Sequence, residues 1–147
     1  MSSNLTIVIP NRNRDLKTVR RSIASIVSQL DDVSRLVVVD YGSEPSYQIA
    51  LGNLLKTFDS VALILCATQG QLWNKSRCIN MVLKSCTTSH FMVADMDMIW
   101  HPNFSQEVAS LLKQEKTIYF PVGFMPEVES EKDKSFDEFE IKGVSGV

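Results

Sequence analysis

The sequence predicts an α/β protein, a three-layer α/β/α arrangement around a mostly parallel sheet. Two observations carry that prediction. Short apolar runs rich in β-branched residues alternate with segments of helical period along the chain. The second run, residues 36–39, is continuously apolar, as a strand covered on both faces is.

Residues 5–9 form the first predicted strand, ended by Pro10. Asp15 can cap a helix in which Leu16, Val19, Ile23, Ile26, Val27 and Leu30 share one stripe. The second strand, 36–39, is followed by the turn formers Gly42, Ser43 and Pro45 and then a helix over 47–58. A third strand is predicted over 61–65. A helix over 73–86 then carries Ile79, Val82, Leu83 and Cys86 at helical spacing. The fourth strand, 91–94, leads directly into Asp95. Pro102 opens a helix with Phe104, Val108, Leu111 and Leu112, and 118–122 is a fifth strand. Beyond Pro126 the charged stretch EVESEKDKSFDEFE has no apolar stripe and reads as a solvated loop or tail. Residues 1–125 are thus expected to form one ligand-binding unit and 126–147 a charged extension. No internal repeat or low-complexity segment is visible.

Composition narrows the functional classes. At 147 residues and 44% hydrophobic, the chain can bury one core. A net charge of -2 gives no bulk attraction to nucleic acid or anionic membrane. Arg12, Arg14, Lys17, Arg20 and Arg21 nevertheless cluster near the start, which suits a small anion better than a long polyanion. Cys66, Cys78 and Cys86 are odd in number and lack CxxC spacing, so buried thiols in a reducing compartment are expected rather than disulfides or zinc. MSSNLTIVIP has no basic leader, and no apolar run approaches the roughly 20 residues of a membrane helix. A cytoplasmic protein with no nucleic-acid partner is the expectation.

Ligands of open α/β sheets bind beyond the carboxyl ends of the strands. The candidates are therefore Asn11 to Arg14, Asp40 to Ser43, the segment from Gln69 to Arg77, and Asp95 with Asp97. Spaced i, i+2 in extended chain, Asp95 and Asp97 would share one side and need a cation. Oxygen ligands of this kind suit Mg2+ or Mn2+, although a bare DMD is more often an exposed acidic turn. Arg12 and Arg14 precede a helix start, where a phosphate would account for both. Asp40 could accept from a base or ribose, or cap the turn at Gly42 and Ser43. Trp73 could stack on a base from a helix opening or lie buried under the helix; Lys75 and Arg77 would add phosphate cations. His90 and His101 read as surface histidines, His101 near enough to the acidic pair to be watched. A dinucleotide-binding or methyltransferase reading fails because PNRNR stands where a Gly-rich turn is needed.

Four blocks together resemble GT-A glycosyltransferases: IVIPNRNRDL, VVVDYGS, WNKSRCINMVLKSC and HFMVADMDMIWHP, in the family's order. The first resembles the P-x-R-N-R pattern of β-1,4-galactosyltransferases and the second the VVDDGS turn of family 2, with Tyr41 in place of the second Asp. The third and fourth are similar to segments of galactosyltransferases and chondroitin polymerases. The resemblance implies a GT-A fold and inverting, metal-dependent transfer of a hexosyl group from a UDP-sugar to a glycan hydroxyl in polysaccharide synthesis. It implies that Pro10, Asn11, Arg12, Arg14, Asp40, Gly42, Ser43, Trp73, Lys75, Arg77 and Asp95 line the nucleotide-sugar site, with Asp97 the direct ligand of Mn2+ or Mg2+ and Asp95 beside it. The family's downstream acceptor half, with its catalytic base and a late His ligand, has no counterpart before Val147, so a truncated donor half with no nameable base is expected. The parent protein could sit peripherally at a membrane. A module that holds UDP or a UDP-sugar without turning it over is the alternative.

Overall fold

The structure, a computed structural model, describes residues 5–31 and 34–111. Strands and helices alternate strictly: β1 (Leu5–Asn11), α1 (Leu16–Val27), β2 (Arg35–Tyr41), α2 (Pro45–Leu55), β3 (Val61–Cys66), α3 (Lys75–Leu83), β4 (His90–Val93) and α4 (Phe104–Leu111). The four strands pair in parallel in the order β3-β2-β1-β4. The chain thus lays β2 and β3 on one side of β1 and returns to place β4 on the other. That reversal makes a switch point between β1 and β4.

Both faces of the sheet are covered at β1 and β2, which explains the unbroken apolar run of β2, while β3 and β4 are only partly covered. Leu5, Ile7 and Ile9 of β1 and Leu36 and Val38 of β2 face Val19, Ile23 and Ile26 of α1 and Leu51, Leu54 and Leu55 of α2. Trp100 and Phe104 extend the same layer, with ring centroids 4.5 Å apart. Val8, Val39 and Tyr41 turn the other way and pack on Cys78 and Val82 of α3. Strand parity therefore splits one run of residues between two cores. Each fully buried Ile or Val contributes about 1.5–3 kcal/mol by leaving water.

Several boundaries differ from the sequence expectation. β1 does not stop at Pro10 but runs to Asn11, with Pro10 paired to Val39. Ala94 N–H donates to the Val8 carbonyl at 3.0 Å, so Val8, and by parity Pro10, turns its backbone towards β4. Pairing with β4 ends at Val8, and a proline nitrogen is tolerated where no ladder donor is needed. α3 starts two residues later than expected because Asn74 is its cap, accepting from Arg77 N–H at 2.9 Å. α2 starts earlier, at Pro45, and ends at Leu55; α4 starts at Phe104, past Pro102. Of the three thiols only Cys78 is fully buried, since Cys66 ends β3, an edge strand among the described residues, and Cys86 lies beyond α3. The expected strand 118–122 and the charged stretch after Pro126 lie outside the described residues. No described helix is long and apolar enough to cross a membrane.

Candidate functional site

The switch point brings together the segments that follow β1 and β4 and the approach to α3. They enclose a cleft of about 500 Å³ lined by Pro10, Asn11, Arg12, Arg14, Trp73, Lys75, Asp95, Met96 and Asp97. Eight of the predicted residues meet here, and Met96, buried in the core, anchors the wall. Asp40, Gly42, Ser43 and Arg77 do not line this cleft.

Asp95 and Asp97 are not on extended chain as expected. β4 ends at Val93, and Met98 N–H closes a turn onto the Asp95 carbonyl at 3.3 Å. Both carboxylates still face the cleft, and each holds a cation there. Lys75 Nζ donates to Asp95 Oδ1 at 2.5 Å, and Arg14 Nη2 lies 3.3 Å from Asp97 Oδ2. All four side chains are about half exposed, between 43% and 57%, so each pair contributes little to stability. Among the described residues no group of three or more His, Cys, Asp or Glu could enclose a metal. Two carboxylate donors are what Mg2+ or Mn2+ commonly takes from a protein when phosphates and water complete its shell. The donor set fits such an ion, provided the two basic side chains move aside.

The arginines do not gather at the start of α1 as expected. Asp15 already caps that helix, accepting from Thr18 N–H at 3.0 Å, which supplies the negative charge the helix start favours. Arg12 instead donates to the Gln71 carbonyl at 2.8 Å, and Arg14 crosses to Asp97. Asn13, with φ 49°, lets the chain turn between them and ties this loop to the next: its N–H donates to Ser43 Oγ at 2.8 Å and its Oδ1 accepts from Glu44 N–H at 3.2 Å. Tyr47 donates to the Arg14 carbonyl at 2.5 Å. Burial pushes the Tyr47 phenol up; the Asn11 hydrogen bond opposes this, the Asp40 and Asp15 carboxylates reinforce it, and its proton stays on that bond at neutral pH.

Asp40 caps the turn at Ser43, as the second of its two sequence readings expected, and it also takes donors from β1 and α2. It is fully buried at the end of β2, and four donors converge on it. Asn11 Nδ2 and Ser43 Oγ bond Oδ2 at 3.0 and 2.6 Å, while Ser43 N–H and Gln48 Nε2 bond Oδ1 at 3.2 and 2.9 Å. With no accessible surface, Asp40 cannot face a nucleoside here; it braces the loops that form the cleft. Gly42 takes φ 78°, and a Cβ there would lie 2.6 Å from the Thr68 carbonyl oxygen. Glycine is therefore required both by its dihedral and by the close approach of the two loops.

Trp73 precedes the α3 cap and is 45% exposed, so it is not buried under the helix. Its ring stands edge-on to Tyr41, with centroids 6.1 Å apart and planes at 79°. Arg77 turns away from Lys75, with its guanidinium 3.4 Å from Tyr41 Oη, and lines a second hollow along α3 with Asn80 and Lys84. Two residues apart on a helix do not face the same way, and Lys75 and Arg77 accordingly line different hollows. His101 does not line the cleft; its Nδ1 accepts from Asn103 N–H at 2.9 Å at the entry to α4. Sequence reasoning missed Tyr47 and Gln48 as supports, whereas Gln71 lay in a segment it singled out. Only the helical placement of Tyr47 and Gln48, one turn into α2 towards the strand ends, could have signalled them.

The comparisons with known proteins agree with this geometry. The model of the glycosyl transferase family 2 matches residues 6–142. No curated protein matches. Among solved structures, the chain is similar to the mannosyltransferase PcManGT from Pyrobaculum calidifontis, in complex with GDP-Man and Mn2+, at TM-score 0.64 and 21% identity over 76% of this chain and 33% of that one. It is also similar to S. aureus TarS 1–349, at TM-score 0.61 and 14% identity over 74% and 32% of the two chains. The same protein in complex with UDP-GlcNAc matches at TM-score 0.58 and 18% identity over 74% and 31%. The chain thus spans about a third of the length of these structures. With a parallel sheet covered on both faces at β1 and β2, a cleft at its switch point and a family match over nearly all of its length, the chain belongs to glycosyl transferase family 2 and has the GT-A fold.

Proposed function

We propose that residues 1–125 bind the donor of a metal-dependent, inverting glycosyltransferase that moves a hexosyl group from a UDP-sugar to a glycan hydroxyl, in the cytoplasm or at a membrane surface. The observation that carries this reading is the meeting of three cations, two carboxylates and an exposed indole in one cleft. Trp73 offers the base a stacking surface, and Lys75, Arg12 and Arg14 face the diphosphate. Asp97, with Asp95 beside it, would hold Mg2+ or Mn2+. When bound, such an ion offsets charge on the departing nucleoside diphosphate. The neighbours' GDP-Man, UDP-GlcNAc and Mn2+ support a nucleotide-sugar donor and a divalent ion.

A second reading is that this stretch holds the donor without turning it over. It is favoured by the cleft's lining: among the described residues Asp95 and Asp97 are its only carboxylates, and both are assigned to the metal, which leaves neither to deprotonate an acceptor. Calorimetry with UDP and Mn2+ tests the shared part of both readings. Asp97→Ala is expected to abolish metal-dependent UDP binding, while Asp59→Ala, at an exposed position outside the cleft, leaves it intact. Normal UDP–Mn2+ binding by Asp97→Ala would remove the metal assignment. Binding without sugar transfer or donor hydrolysis would select the second reading.

A further inference from the structure

We infer that the hollow along α3 is a second binding site, which holds a stretch of the acceptor away from its reacting hydroxyl. That acceptor is a glycan bearing carboxylate or phosphate groups in series. The inference rests on the donor-site reading above and names the acceptor class that meets it.

The hollow encloses about 530 Å³ and is lined by Asn74, Ser76, Arg77, Asn80, Met81 and Lys84. It adjoins the donor cleft without sharing a residue with it: Asn74 lines the hollow, while Trp73 and Lys75 on either side of it line the cleft. Arg77 and Lys84 stand about 10 Å apart along the helix axis, so they suit two anionic groups on one ligand better than a single ion. No carboxylate is among the lining residues. Residues 60–94 contain neither Asp nor Glu and carry Lys75, Arg77 and Lys84, in a chain where acids outnumber bases 17 to 15. Lys75 is paired with Asp95 in the cleft, which leaves the two cations of the hollow uncompensated. Among the described residues, the side chains of Ser76, Asn80 and Lys84 make no hydrogen bond or ion pair. Arg77 Nη1 reaches the Tyr41 hydroxyl at 3.4 Å, a long contact that an anion displaces readily.

The kind of polyanion follows from the rest of the lining. Asn74, Ser76 and Asn80 offer amide and hydroxyl groups that pair with sugar hydroxyls. No aromatic ring lines the hollow, so a single-stranded nucleic acid would lack a stacking surface. Met81 is the one apolar side chain in the lining, too little to seat on a lipid surface. A charged glycan uses every group present: its anionic substituents meet Arg77 and Lys84, and its hydroxyls meet the amides between them.

The test measures, by calorimetry on the whole chain, the binding of oligogalacturonate, a phosphodiester-linked oligomannoside, a neutral malto-oligosaccharide and oligothymidylate of matched length. One or both charged glycans should bind and the other two should not; the tighter of the pair identifies carboxylate or phosphate as the charged group. Arg77→Gln/Lys84→Gln should weaken that binding by roughly 2- to 30-fold. Arg35→Gln/Lys56→Gln, which removes two exposed charges outside the hollow, should leave it unchanged. UDP with Mn2+ should leave the glycan bound. Displacement of the glycan by UDP would place it in the donor cleft and overturn the inference. Equal binding of the neutral oligosaccharide or of oligothymidylate, or undiminished binding by the double variant, overturns it as well. UDP and Mn2+ titrated alone separate the two readings: without UDP binding the donor-site reading falls and the acceptor site with it, whereas UDP binding with no glycan bound removes this inference only.

Discussion

The two ion pairs of the cleft predict that metal and nucleotide bind as a unit, and that removing two basic residues strengthens binding of the metal alone. Mn2+ arriving by itself must separate Lys75 from Asp95 and Arg14 from Asp97, and then sit beside both displaced cations. A diphosphate arriving by itself must pull the same cations from the carboxylates. When both arrive, the partners exchange: carboxylates turn to the metal and cations to the phosphates. Pairs this exposed are each worth about 0.2–1 kcal/mol, so breaking both costs about 0.4–2 kcal/mol, roughly 2- to 30-fold in affinity. The double variant Arg14→Gln/Lys75→Gln should therefore bind Mn2+ alone about 2- to 30-fold more tightly than wild type, and UDP more weakly. Free Mn2+ measured by electron paramagnetic resonance, with and without UDP, reads both arms. Lower salt should widen the difference, because exposed charges are screened over about 10 Å at 0.1 M. If the double variant binds Mn2+ alone no better than wild type, the cations are not competing with the metal and the exchange is wrong.

Two further outcomes follow from the loops that frame the site. Gly42→Ala combines a left-handed backbone, about 1–2 kcal/mol, with a clash against the Thr68 backbone, about 1–3 kcal/mol, for a total of about 2–5 kcal/mol. Gly70→Ala has a similar φ of 77° but nothing within 4 Å, so it should lose only the first part; equal losses in urea unfolding would refute the close-approach argument. The thiols should react with Ellman's reagent at pH 8 in the order Cys86, Cys66, Cys78. Burial raises the Cys86 thiol, but the Thr88 and Thr6 hydroxyls and Arg35 bring it below its ordinary value, whereas burial pushes Cys66 up and Cys78 to about 11. Early modification of Cys78 in folded protein would contradict the packing of α3 on the sheet.

What the sequence could reveal was what depends on neighbours along the chain. Period and composition located every described strand and helix, and Asp15 capped α1 as its position ahead of Leu16 required. The switch-point rule then brought eight of the candidate residues to one cleft. The errors came where a decision belongs to groups distant in sequence. Pro10 stays in its strand because β4, eighty residues on, stops short of it. Asp40 is buried because donors from β1, from its own turn and from α2 converge on it, which no local pattern encodes. Arg77 differs in kind: its helical offset from Lys75, legible in the sequence, turns it to the second hollow beside Tyr41.

The acidic pair shows the same limit most clearly. From sequence, two aspartates at a strand end seem to call for a metal, because like charges need compensation. In the folded chain that compensation already exists, supplied by Lys75 from α3 and Arg14 from the β1–α1 loop. The need for a cation therefore cannot by itself argue for a metal. On the donor-site reading proposed above, the same two cations would turn to a diphosphate and release both carboxylates to a metal. The two ion pairs are neutral without ligand, Arg12 leaves the cleft one positive charge in excess, and metal and diphosphate arriving together would leave that sum nearly unchanged. The half-loaded states, with metal or diphosphate alone, are the unfavourable ones.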